Sequence, residues 1–131
     1  MTMSLLPNAK AIVLCDDVIR DVGSEAVALN GVRSTIHADA FPFRHRQLCV
    51  YLELTGHRGR ASTSVIAVQA STEQDEFSSP SHTLTLPGPL TVLPVIFRLR
   101  NCPFPEAGLY WIQFFCNEML VVEHRLNLVL G

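Results

Sequence analysis

The sequence predicts an all-β chain, an antiparallel sandwich of two sheets with about eight strands. Three observations carry this expectation. Hydrophobicity alternates with a period of two in segment after segment, most plainly in Leu48 to Leu54, where Leu48, Val50, Leu52 and Leu54 share one face of an extended chain. Eight prolines and seven glycines cut the chain into short runs at the spacing of an all-β domain. No apolar stripe of helical period lasts the ~10 residues that an amphipathic helix needs. Strands without helical crossovers pair mainly antiparallel. About eight of them around one core favour a sandwich over a closed barrel.

The elements follow in order. Lys10 to Val18 reads as a first strand ended by the acidic pair Asp16-Asp17, and Asp21-Val22-Gly23-Ser24 as a turn. Glu25 to about His37 reads as one strand with a bend, a bulge or a very tight hairpin at Asn30-Gly31. Asp39 to Gln47 is expected to be a loop around Phe41-Pro42-Phe43, leading into the strand Leu48 to Leu54. Gly56-His57-Arg58-Gly59 turns the chain into Ser62 to Ala70, which is β-branched and apolar. Ser71 to Ser81, the most polar stretch, is expected to be a mobile surface loop. His82 to Leu86 alternates again and stops at Pro87-Gly88-Pro89. Val92 to Arg100 follows with Val95, Phe97 and Leu99 on one face, and Pro94 marks it as an edge or bulged strand. Leu109 to Cys116 and Leu120 to Leu130 form a closing hairpin across Asn117-Glu118, with Leu126, Leu128 and Leu130 inward.

Composition narrows the function classes. The 131 residues fit one domain over residues 1–131, and 48% of them are hydrophobic. That is enough for a chain of this size to bury roughly two thirds of its unfolded surface without metal or disulfides. A net charge of −2 gives no broad basic field, so nucleic acid is not an expected partner. Met1 to Lys10 has no basic leader region, and the apolar run Ala11 to Cys15 stops at Asp16. With no run near the ~18 apolar residues of a membrane span, no membrane association is expected and the expected address is cytoplasmic. Cys15, Cys49, Cys102 and Cys116 form no C-x-x-C pair, and three of them sit in apolar runs, so they read as buried free thiols.

Two resemblances add to this reading. Pro105-Glu106-Ala107-Gly108-Leu109-Tyr110 resembles the acidic-x-Gly-x-Tyr signature at the start of a late strand in immunoglobulin-like sandwiches. The second cysteine of antibody domains would fall at Ile112, so the resemblance implies the tyrosine corner without the disulfide. Over nearly its full length the chain also resembles an uncharacterised family of short bacterial single-domain proteins. The residues that carry this are Ile12-Val13-Leu14-Cys15-Asp16-Asp17-Val18 and Val27-Ala28-Leu29-Asn30-Gly31-Val32. This second likeness implies a small stand-alone sandwich, immunoglobulin-like at its C-terminal hairpin, and is silent on function.

Candidate chemistry is thin. Asp16 and Asp17 resemble half of a hard-cation site, with Asp21 or Asp39 as further ligands, but adjacent strand residues point to opposite faces. No metal or other cofactor is therefore expected. His37, His45, His57, His82 and His124 show no ligand spacing, so any cluster has to be built by tertiary contact. Cys102, the one cysteine read in a loop, lies beside Arg100 but has no partner base in sequence. Neither a Gly-x-Ser-x-Gly nucleophile elbow nor a phosphate loop is present. Arg44-His45-Arg46 and His57-Arg58-Gly59-Arg60 flank a strand of about 30 Å and so belong to opposite ends of the molecule. The expectation is a non-catalytic protein-interaction domain with no catalytic residues. Its contact surface is read at Trp111 and Phe115, whose phase on the strand Tyr110 to Phe115 is too aromatic for a wet face. A homodimer or another protein is the expected partner. The alternative is a small-molecule or metal-binding domain, or a hydrolase, with a site in the end loops.

Overall fold

The computed structural model describes residues 6–131 and contains no helix among them. Residues 1–5, which belong to the leader and domain readings above, lie outside the described residues. Eleven strands occur: β1 (Asn8–Cys15), β2 (Asp17–Arg20), β3 (Val27–Asn30), β4 (Thr35–Ala38), β5 (Phe43–Thr55), β6 (His57–Gln69), β7 (Gln74–Ser78), β8 (His82–Gly88), β9 (Leu93–Phe104), β10 (Gly108–Cys116) and β11 (Met119–Leu130). They form a three-stranded sheet β1-β5-β9, a six-stranded sheet β4-β11-β10-β6-β7 with β8 also on β6, and a two-stranded ribbon β2-β3. No closed barrel forms among the described residues.

The eleven strands correct the expected eight, and each addition has a local cause. The first expected strand breaks at Asp16, whose N–H donates to the carbonyls of Asn30 and Gly31 at 3.0 and 3.2 Å. The chain thereby leaves the three-stranded sheet as β1 and enters the ribbon as β2. The second expected strand breaks at Gly31, at φ +70°, where a Cβ would fall onto the Asp16 carboxylate. The loop expected over Ser71 to Ser81 contains β7, anchored by Phe77 edge-on to Phe104 at 5.4 Å between ring centroids. Phe43 to Gln47 is strand rather than loop, because the long β9 pairs with β5 from Phe43↔Phe104 to Leu54↔Leu93. His57 and Arg58 likewise already belong to β6, paired with Gly88 and Pro87.

All pairings are antiparallel except β4 with β11, where Thr35 to Ala38 runs parallel to Asn127 to Leu130. These two strands are far apart in sequence, so their parallel pairing needs no local helical crossover. Asn117 and Glu118 both hold positive φ, 50° and 66°, as the two-residue turn of the β10–β11 hairpin requires.

One core lies between the two large sheets. Leu48, Val50, Leu52, Val95, Phe97 and Leu99 from one meet Val65, Ala67, Ile112, Phe114, Leu126 and Leu128 from the other. Leu130, expected inward, is 66% exposed because β11 outruns the core at its last residue. Tyr110 is fully buried, and its hydroxyl donates to the Glu106 carbonyl at 2.6 Å and accepts from the Glu106 N–H at 3.2 Å. The ring contributes apolar burial while the hydroxyl satisfies two backbone groups of the turn before β10.

Candidate functional site

The outer faces of the two large sheets are treated differently by the chain. On the three-stranded sheet, the outward residues Cys49 and Tyr51 of β5 are buried beneath the ribbon together with Cys15, and Val18 of the ribbon packs against them. Val27 and Leu29 of the ribbon and Ile96 of β9 close this second, smaller core. The ribbon is held down by polar stitches. Arg98 donates to the Val18 carbonyl at 2.8 Å, and Gln47 Nε2 to the Asp16 carbonyl at 3.0 Å.

The six-stranded sheet has no such cover among the described residues. Alternation along β6 and β10 turns Val65, Ala67, Ile112 and Phe114 inward, which leaves Ile66, Val68, Trp111 and Phe115 outward and only partly buried. Register places Trp111 opposite Val68 and Phe115 opposite Ser64, so these side chains form one stripe across neighbouring strands. A shallow depression beside Trp111 is lined by Val68, Gln113 and three carboxylates, Glu73, Asp75 and Glu123. Gln113 donates to Glu123 at 2.9 Å. The two residues expected at a contact surface, Trp111 and Phe115, thus share one accessible sheet face.

The other sequence candidates are placed otherwise. Asp16 and Asp17 diverge: Asp16 pairs with Arg33 at 2.6 Å, while Asp17 accepts from the Val18 N–H at 2.8 Å and lies 3.9 Å from Arg98. Asp21 accepts from the Gly23 N–H and the Ser24 hydroxyl, which hold its carboxyl below the ordinary range. Among the described residues, no three His, Cys, Asp or Glu side chains converge as metal ligands. Cys102, expected in a loop, is in β9 and 1% exposed, and burial pushes its thiol up to about 11. All four cysteines are free and buried. A thiol so placed stays protonated at neutral pH and is a poor nucleophile. Arg44 lies near the start of β5, and His57 opens β6 just beyond the other end of β5.

Sequence reasoning missed one cavity of mixed lining. About 540 Å³ at the open end of the ribbon is lined by Asp16, Arg33, His37, His45 and Gln47 together with the apolar Ile36 and Phe43, drawn from three separated segments. Arg33 Nε and His45 Nε2 are enclosed there without hydrogen-bond partners among the described residues. Burial, with Arg33 adding to it, holds His45 below the usual imidazole value, and Asp16 opposes the shift. Its best-defined contacts, Asp16 with Arg33 and Gln47 with the Asp16 carbonyl, tie β1, the ribbon and β5 together. No signal in sequence spacing foretells this meeting, because only the fold brings the segments close.

These features define an all-β chain with one sheet face covered by its own ribbon and one left open. The chain belongs to a family of unknown function, DUF6941, whose model matches residues 10–129. No curated protein matches it. Among solved structures, Pseudomonas fluorescens alkylpurine DNA glycosylase AlkC bound to DNA containing an abasic site analog aligns with a TM-score of 0.46 and 12% identity. That alignment covers 73% of this chain and 28% of the glycosylase, and a likeness of this degree carries no argument about structure or activity. Among the described residues no helix is long and apolar enough to cross a membrane.

Proposed function

We propose that this chain is a non-catalytic protein-interaction domain, one immunoglobulin-like sandwich over residues 1–131, whose contact surface is the open face around Trp111 and Phe115. The observation that supports this is the uncovered stripe of Ile66, Val68, Trp111 and Phe115 on a sheet whose opposite face forms the core. Contiguous apolar surface of this kind on a folded chain marks a contact site more often than a solvated one. Trp in such a setting supplies large contact area with few rotatable bonds. The corner formed by Tyr110 with Glu106 supports the immunoglobulin-like layout. Four buried free thiols fit a reducing bacterial cytoplasm.

Hydroxyl-radical footprinting tests this reading. Trp111 and Phe115 are expected to be oxidised freely in the dilute purified protein and to be protected in concentrated extract of the native cell. Equal labelling in both would remove the case for a contact at this face.

A further inference from the structure

The charges around the open face are arranged so that the face complements itself. On β6 the outward phase runs Arg60, Ser62, Ser64, Ile66, Val68. Ser64, opposite Phe115, lies midway: Arg60 stands four residues to one side and Val68 four residues to the other, about 13 Å each at ~3.3 Å per residue. The row through Val68 carries Trp111 on one flank and Asp75 on the other. The row through Arg60 carries only Thr85 of β8 on one flank, because β10 ends at Cys116 opposite Thr63. One end of the stripe therefore presents a carboxylate and an indole, with Arg125 of β11 beyond the indole, and the other presents an exposed guanidinium whose β10 flank stops at the Asn117 turn beside Ser62.

We propose that a second copy of this chain occupies the face, related by a two-fold axis that lies between the copies and crosses the strands at the Ser64–Phe115 row. This rests on the contact-face reading above and names its partner. The rotation reverses strand direction and preserves lateral position. Phe115 then meets Phe115 of the second copy, and the Arg60 row of each copy lies over the Val68 row of the other. Asp75 of one copy comes to one side of the opposing Arg60, over Thr85. Trp111 comes to its other side, in the flank beyond the end of β10. Each guanidinium is received between a carboxylate and an indole face, a charge-assisted pairing combined with a cation–π contact. Two such pairs form at once, as an isologous interface demands. The alternative two-fold, with its axis along β6 and the strands parallel, would set Arg60 against Arg60 and leave both guanidinium groups without a carboxylate. Aligned sheets pack within about 30° of one another, which this geometry accommodates.

Light scattering on the full chain at high micromolar concentration is the test, with urea midpoints as the check on folding. A dimer is expected. Arg60→Glu and Asp75→Arg should each weaken it roughly tenfold or more, and the double variant should recover most of the loss because the pair is re-formed with its signs exchanged. A dimer broken by Trp111→Glu but indifferent to the charge variants overturns the two-fold register and leaves the contact face standing. A monomeric wild type whose Trp111 is still protected in extract overturns the second copy alone. A monomer with Trp111 equally labelled in both conditions overturns both readings.

Discussion

The outer phase of β5 places Cys49 and Tyr51 under the ribbon at 0% and 8% exposure, whereas the outer phase of β10 leaves Trp111 and Phe115 partly open. Both strands are apolar on both faces, so alternation alone does not distinguish them. The difference lies in what the rest of the chain supplies. Between β1 and β4 the chain spends two short strands, Val18 and Leu29 among them, on roofing the three-stranded sheet. No remaining segment among the described residues roofs the other sheet. A doubly apolar strand signals that a third layer exists, and the fold decides whether that layer comes from the same chain.

The sharpest way to break this comparison is to place one charge under each outer face. Val18, on the inner face of the ribbon, is 3% exposed, so Val18→Asp puts an unpaired carboxylate into a closed apolar cluster. A loss of about 3 kcal/mol or more is expected. Trp111→Glu places its charge on a face open to water and should shift stability by less than about 1 kcal/mol. Urea midpoints of the two variants, measured where the protein is monomeric, decide it. Similar losses would mean that the six-stranded sheet is also covered from within the chain.

Much of this was legible before the structure. The core phase of β5 and the corner at Tyr110 follow from alternation and from the Glu106-Ala107-Gly108-Leu109-Tyr110 pattern, both of which are local. Trp111 and Phe115 stood out because they are aromatic in the phase opposite to the core. The ribbon was not legible, since Val27 to Asn30 alternates like any strand and period does not name a pairing partner. β7 was hidden by its composition: it is an edge strand whose one well-packed inward residue, Phe77, sits among polar neighbours. The cavity that joins His37 and His45 was hidden because its parts meet only in the folded chain.

Tyrosine hydroxyls on the two sheets extend the comparison at a smaller scale. Tyr110→Phe keeps the buried ring but leaves the Glu106 carbonyl and N–H without their partner, so a loss of ~1–3 kcal/mol is expected. Tyr51 donates to the Glu53 carboxylate at 2.8 Å, and that carboxylate is only partly buried and can turn to water. Tyr51→Phe should therefore cost less than about 1 kcal/mol. Equal urea midpoints, or the larger loss at Tyr51, would show that the hydroxyl of Tyr110 does not stabilise the turn before β10.

The smallest effect concerns pH and separates the closed face from the open one. His45 lies at the seam where Asp16, Arg33 and Gln47 fasten the ribbon, and burial lowers its pKa from the ordinary 6.5. A histidine whose folded pKa is depressed binds its proton more readily in the unfolded chain. Stability from this residue is then complete above about pH 6.5 and declines as pH falls below that value. The expected outcome is a fall in the urea midpoint between pH 7.5 and 5.5 that is smaller in His45→Gln, which keeps a polar side chain and cannot protonate. Arg60 and Asp75 belong to the six-stranded sheet, away from this seam, so the dimer affinity should not follow the same profile. If His45→Gln retains the full pH slope, the proton is taken up elsewhere and the seam is not where acid loosens the molecule.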